Sequence, residues 1–391
     1  MDNPFDFSDI APYSDDVFHQ KMQSLVKEPG FEHAVKYVMP HVDYQKFVEQ
    51  LLSIQDKNSF QLGVMAPFLE QLEKGTTDGI TFSGVENLQR DMSYTFMSNH
   101  RDIVLDASFL NLMLIKHRLP TSEIAIGSNL LIYDWITDLV KLNKSFIVKR
   151  GIPRAQALDA ARQLSAYIHY AITEKHESVW IAQREGRAKD SNDVTQESLV
   201  KMLGLEGGDA LASNIMSLNV LPLSISYEYD PNDYLKAKEF LMKSKNPDHK
   251  KSEHDDLLSM ETGILKSKGR VHLHCGKCIT PMIADATEGM NRIDTVKTIC
   301  HMIDCSIHAG YRIYPINYIA YEAVSGSTEF ADKYTPAEKE LVYEYWEKQL
   351  DKLANEHFSA DDRLFMLKKM QEMYANPLIN QIKATTDCAI D

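Results

Sequence analysis

The reading of Thr95-Phe-Met-Ser-Asn-His-Arg-Asp-Ile-Val-Leu-Asp106 decides the fold. The apolar run from Tyr94 to Met97 has the length and composition of a short buried strand. It stops on a polar cluster, Ser98-Asn-His-Arg-Asp102. Asp106 to Ile115 then reads as a helix, with Asp106 where an N-cap sits. A histidine at a strand end with carboxylates just downstream, here Asp102 and Asp106, is how α/β enzymes present a general base. A polar turn that happens to hold a histidine has the same pattern, so the surrounding blocks decide between the two.

Outward from this stretch, short strands alternate with helices from Gly79 onward, the α/β signature. Ile80–Gly84 reads as an edge strand. Glu123–Gly127, Ser145–Arg150, Ser178–Ala182, Asn219–Tyr227 and Arg270–Gly276 read as further strands, with Pro222 expected near a strand start or on an edge. Helical patterns fill the gaps at Asn129–Val140, from Pro153 to Ile172, and through Leu199–Asn214. Lys243–Asp256 is densely charged and reads as a surface loop. Three amphipathic segments, Asp15–Val26, Val42–Leu52 and Phe60–Leu72, make residues 1–75 a helical region that packs on the main domain as a cap. Helical periodicity returns over residues 285–391, at Asp294–Ile307, Ala337–Asn355 and Asp361–Tyr374, the last capped by Ser359 or Asp361. The α/β domain is expected to span residues 76–284.

The chain has 391 residues and a formal net charge of −14, with 44% hydrophobic and 25% charged residues. That balance is ordinary for a soluble globular protein and argues against a nucleic-acid partner. No stretch approaches the roughly 18–20 apolar residues that span a bilayer. The N-terminal residues are acidic and lack a basic segment followed by an apolar one, so no signal peptide is expected and a cytoplasmic location is. Five cysteines do not suggest a disulfide scaffold. Cys275 and Cys278, followed by Cys300 and Cys305, raise a zinc-stabilised, non-enzymatic binding protein as an alternative. Against it, His272 and His274 alternate with Val271, Leu273 and Cys275, a strand pattern whose polar side reads as an outer face.

Four polar clusters sit at strand ends, where α/β folds assemble active sites. They are Asn99-His-Arg-Asp102 with Asp106; Phe146-Ile-Val-Lys149-Arg150; Arg184-Glu185-Gly186-Arg187; and the strand Val220-Leu-Pro222-Leu. In this order, from about Gly79 to Gly276, the set resembles the glycerolipid acyltransferase superfamily. Its blocks are His-x4-Asp, Phe-Ile-x-Arg, Glu-Gly-x-Arg and a proline-containing strand. Two departures stand out. Leu105 occupies the family's aspartate position, with Asp106 one further on, and the third block reads Glu-Gly-Arg-Ala. The irregular His–Asp spacing also fits a catalytically dead homologue.

The resemblance implies a mixed sheet flanked by helices, with helical N- and C-terminal additions. It further implies an O-acyltransferase that moves a fatty acyl group to a glycerol-3-phosphate or 1-acylglycerol-3-phosphate acceptor. The donor would be acyl-CoA or acyl-carrier protein, with no other cofactor and no metal. A different lipid acceptor, a lysophospholipid or an amino-acid lipid, is the alternative. His100 is then the general base, partnered by Asp106 if the chain bulges by one residue, or by Asp102 through a tight turn. Arg101, Lys149, Arg150, Glu185, Gly186 and Arg187 are the implied substrate contacts. Lys141, Lys144, Lys149, Arg150 and Arg154 form a basic segment expected to meet the cytoplasmic face of a membrane peripherally. The aromatic run Gly310–Tyr318 suggests packing or a membrane-facing surface.

Overall fold

The computed structural model describes residues 5–206 and 210–387. Residues 1–4, 207–209 and 388–391, which belong to the regions expected above, lie outside it. The N-terminal part is helical, with α1 (Asp15–Leu25), α2 (Pro29–Val38), α3 (Tyr44–Ser53), α4 (Lys57–Phe60) and α5 (Ala66–Thr76). Side-chain caps set two of the starts, since Asp43 accepts from the Lys46 amide and Asp56 from the Ser59 amide. Pro29 at the first helical position opens α2, a helix that lies between two of the periodic segments. Phe18, Met22, Phe31, Leu51 and Phe60 close a small core that also takes in Leu142 of the main domain.

Among the described residues the sheet has seven strands: β1 (Ile80–Ser83), β2 (Thr95–Ser98), β3 (Ser122–Gly127), β4 (Ser145–Val148), β5 (Ser178–Ala182), β6 (Val220–Tyr227) and β7 (Val271–Cys275). Their spatial order is β1-β7-β6-β2-β5-β3-β4. Among these strands β6 and β7 pair antiparallel and the other neighbours pair parallel, so the sheet is mixed. The connecting helices are α6 (Leu105–Lys116), α7 (Asp134–Leu142), α8 (Ala157–Thr173), α9 (Glu197–Leu203), α10 (Leu211–Met216), α11 (Asp233–Lys245) and α12 (Glu253–Leu265). After β7 come α13 (Thr280–Ala286), α14 (Arg292–Ala309), α15 (Pro315–Ser325), α16 (Pro336–Asp351) and α17 (Ala360–Asp387).

Central β2 is buried along its length between β5 and β6, with Ser98 opposite Ala182 on one side and Leu223 on the other. The chain leaves β2 across β5 to reach β3, and leaves β5 across β2 to reach β6. Diverging connections of this kind open a crevice beyond the carboxyl ends of the strands. Alternation along β5 divides the core: Val179 and Ile181 face one side, Trp180 the other. Val296, Ile299, Ile303 and Ile307 of α14 belong to the first of these cores, so a C-terminal helix covers the sheet itself. Helices α15–α17 pack with α11 around Trp346.

Some expectations change and others resolve. The charged stretch Lys243–Asp256 is a loop only from Asn246 to Lys251, because Ser252 and Asp255 form a capping box that starts α12. Pro222 is in an interior strand, two residues from its start and ahead of the ladder to β7, which begins at Leu223. Ser359 caps α17, its Oγ accepting from the Asp362 amide, and Tyr311 and Tyr314 of the aromatic run are packed inside. Cys275 and Cys278 belong to one core and Cys300 to the other, on opposite faces of the sheet. Among the described residues no three metal-binding side chains gather, so the zinc set is not assembled.

His272 and His274 are not on an outer face. His272 is buried, with Nδ1 at 2.7 Å from Thr81 Oγ1 and Nε2 at 3.0 Å from Ser83 Oγ. Burial, then the nearby Arg312 and His274, push the His272 imidazole down to about 4. An unfolded-chain histidine titrates near ~6.5, so the unfolded state binds this proton at higher pH than the native state. Stability from this group is therefore complete above about 6.5 and is lost as pH falls toward about 4, by roughly 2–3 kcal/mol. Urea unfolding of the wild type and His272→Gln across that window checks this. The variant should lose less stability on acidification, and identical pH dependence would refute the assignment.

Candidate active site

The site is built where β2 ends. Asn99 is buried and its side-chain amide bridges to β6, donating to Ile225 O (2.9 Å) and accepting from Ile225 N (2.8 Å). The turn that follows wraps around one carboxylate. Asp106 Oδ2 accepts from His100 Nδ1 (2.8 Å), Arg101 N (2.7 Å) and Asp102 N (3.1 Å), while Oδ1 accepts from Tyr227 OH (3.1 Å). Burial, then the Asp106 charge, raise the Tyr227 phenol well above its ordinary range and keep it a donor. A carboxylate only accepts, so His100 carries its proton on Nδ1 and leaves Nε2 as the basic atom. His100 Nε2 has no hydrogen-bond partner among the described residues. Trp180 meets the imidazole edge-on at 5.5 Å and is itself fixed by its Nε1 donating to Ser98 Oγ (3.0 Å).

The extra residue between histidine and aspartate is thereby accommodated, and Asp106 is the partner of His100. Asp106 sits in the first turn of α6 and not at its cap. Val104 holds the cap position, and the free amides at the helix start are met by Asp102, whose Oδ1 accepts from the Val104 and Leu105 amides at 2.9 and 2.8 Å. Asp102 Oδ2 is buried without a partner among the described residues, tight against Gly263. Burial, followed by the neighbouring Asp106, raises the Asp102 carboxyl.

His100, Arg150, Glu185, Gly186 and Arg187 line one cavity of about 1280 Å3. Loops after β4 and β5 bring the cations, and Arg150 Nη1 pairs with Glu185 Oε1 at 3.0 Å. Gly186 has φ +68°, which a glycine adopts without strain, and turns the chain so that Arg187 follows. Arg187 Nη1 is buried with no partner among the described residues. Arg184 lines the same cavity. Its only sequence signal is its place beside Glu185. The apolar wall comes from elsewhere: Ala34 and Val38 of α2, Leu139 of α7, Leu257 and Met260 of α12, and Trp180. A volume above the usual ~300–1,000 Å3 of small-molecule sites leaves room for a long chain as well as a polar head.

Three expected contacts belong elsewhere. Arg101 is 5% exposed and forked onto Asp193, with Nη1–Oδ1 at 2.9 Å and Nη2–Oδ2 at 2.7 Å, and Tyr311 donates to the same carboxylate. Lys149 pairs with Asp9 at 2.5 Å and donates to Gln163, away from the cavity. Asp102 serves the amides at the start of α6, as described above. The basic membrane segment also dissolves. Lys141 is buried against the carbonyls of Ser8 and Asp9, and Lys144 is buried against Glu177.

Residues 79–218 match the family model described as acyltransferase. Among solved structures, the 1-acyl-sn-glycerophosphate (LPA) acyltransferase PlsC from Thermotoga maritima is similar at 12% identity and a TM-score of 0.36. The match covers 75% of this chain and 95% of that one. No curated protein matches the sequence.

Arg101→Met should destabilise the fold by about 3–5 kcal/mol, because it leaves the buried Asp193 carboxylate without its cation. Denaturant unfolding measures this. A variant as stable as the wild type would return Arg101 to the list of substrate contacts.

Proposed function

We propose that the chain is an acyltransferase that carries a fatty acyl group from acyl-CoA or acyl-carrier protein to the hydroxyl of a glycerol-phosphate-type acceptor; the match of residues 79–218 to the acyltransferase family model supports the reaction class. The observation that carries this reading is His100, held through Nδ1 by Asp106, with the ring in a cavity lined by both arginines and apolar side chains. Nε2 takes the proton of the acceptor hydroxyl as its oxygen attacks the thioester carbonyl. The C–O bond forms, the tetrahedral intermediate collapses, the C–S bond breaks, and the departing thiolate takes the proton back from the imidazolium. Asp106 stabilises the imidazolium between these steps, and its own charge is held by two backbone amides and Tyr227.

Arg150 and Arg187 suit the acceptor's phosphate. A guanidinium forks onto phosphate oxygens, and the unpartnered Arg187 Nη1 supplies a buried donor. Glu185 already orients Arg150. The apolar wall suits the acyl chain, and the reaction needs no cofactor beyond the donor. The motif order of the glycerolipid superfamily supports the same acceptor class. No helix among the described residues is long and apolar enough to cross a membrane. Peripheral contact with the cytoplasmic face is proposed instead through Tyr37 and Tyr133, cavity-lining residues 51% and 54% exposed, since amphipathic rings favour the membrane interface.

Acyl transfer with purified protein, using glycerol-3-phosphate and its 1-acyl form as competing acceptors, tests the reading. His100→Ala and Asp106→Asn should each lower the rate by about 10²–10⁴-fold. Asp102→Asn keeps the capping oxygen and should lose less than about tenfold. Full activity in His100→Ala would rule the mechanism out.

A further inference from the structure

A second set of cations opens onto the same cavity and plays no part in the chemistry above. Glu239 of α11 is 5% exposed and gathers three lysines from three segments. Lys189, in the loop after β5, pairs with Oε1; Lys243 of α11 lies 2.9 Å from Oε1; and Lys251, just before α12, lies 2.9 Å from Oε2. Burial alone would raise the Glu239 carboxyl, yet the three ammonium groups hold it down to about 2. Lys251 also comes within 3.7 Å of Asp256 Oδ1, which leaves the cluster net positive. Lys189 and Lys251 line the cavity that contains His100. One lysine would neutralise a buried glutamate, and convergence of three concentrates positive charge at the cavity of an acidic protein.

A transfer between two phosphate-bearing substrates needs two cation sets around one base. Arg150 and Arg187 suit the acceptor. We propose that the Lys189–Lys243–Lys251 cluster binds the phosphates of the acyl donor's pantetheine-bearing carrier. This rests on the acyl-transfer reading above. Glu239 then acts as a spacer that holds the ammonium groups together against their mutual repulsion. The donor's thioester would enter from the α11–α12 side, with its acyl chain laid along the apolar wall to which α12 contributes. The phosphate of a phosphopantetheine arm is common to acyl-CoA and acyl-carrier protein, so the site accepts the chemistry both share.

The test compares donors with and without phosphate. Lys243→Gln/Lys251→Gln leaves Lys189 to neutralise Glu239, which protects the fold. With acyl-CoA or acyl-carrier protein the double variant should lose about tenfold in kcat/KM through the donor's KM, with kcat and the acceptor's KM unchanged. With acyl-pantetheine, which carries no phosphate, wild type and variant should be equal. A larger defect with acyl-CoA or with acyl-carrier protein identifies the carrier that supplies the phosphate. An equal loss with acyl-pantetheine, or no loss with any donor, overturns the inference and leaves the acyl-transfer reading standing. A wild type inactive with every donor overturns that reading, and this inference with it.

Discussion

Everything at the site depends on one buried carboxylate. A charged group taken out of water is costly unless its lone pairs are satisfied. Asp106 meets that requirement with four donors drawn from the His100 ring, two consecutive backbone amides and Tyr227. The shape of the turn from Asn99 to Leu105 is thus set by electrostatics. Any rearrangement that released His100 would also strip amides from the carboxylate. The Tyr227 contact ties the arrangement to the sheet, because β6 must keep its register against β2 for Tyr227 to arrive beside Asp106. Asn99, bonded twice to Ile225, locks that register two residues earlier on β6.

A second layer holds the turn from the C-terminal side. Lys236 of α11 donates to the Arg101 carbonyl and pairs with Asp230, while the Arg101 guanidinium is forked onto Asp193. Asp193 is in turn held by Tyr311, and the His308 ring bonds its carbonyl. Tyr345, Tyr374 and Gln349 converge on the neighbouring Asp233, whose carboxyl is pushed up to about 6 by burial. The C-terminal helices therefore reach the residue next to His100 through buried, directional bonds. A turn braced in this way stays in one geometry, as the proposed general-base role would require.

Strands β2, β4 and β5 were readable as near-continuous apolar runs, the mark of a strand buried on both faces, and β6 and β7 by alternation. The histidine was readable because such a run ended on it. Its partner was ambiguous because Asp102 and Asp106 both suit a helix start, and which carboxylate caps depends on the turn's geometry. The cations misled for a related reason. Lys141, Lys144 and Lys149 look like a basic patch in sequence, but Lys141 and Lys149 find partners over 130 residues away and Lys144 finds Glu177. Arg101 likewise meets Asp193 only through the tertiary fold. His272 reads as an outward strand residue because alternation shows that a face is polar, not whether another chain segment covers it. Here Gly310 lies tight against Ser224 and His274 on that same face.

Loss of those lysines to structural pairs sharpens the electrostatics. In a chain of net charge −14, an anionic ligand would find no long-range attraction, so its binding would rest on cations within the cavity. Arginine suits that task better than lysine, since its guanidinium keeps its charge when partly buried and forks onto two oxygens. Arg150, Arg184 and Arg187 all come from loops that leave neighbouring or near-neighbouring strands, as does His100. Trp180 lies at the junction, with its ring edge on the imidazole and its side chain in the apolar wall. A molecule with an anionic head and an apolar tail therefore finds complementary surfaces on either side of the basic nitrogen. Such a division of the cavity favours an amphipathic substrate over one that is wholly polar or wholly apolar.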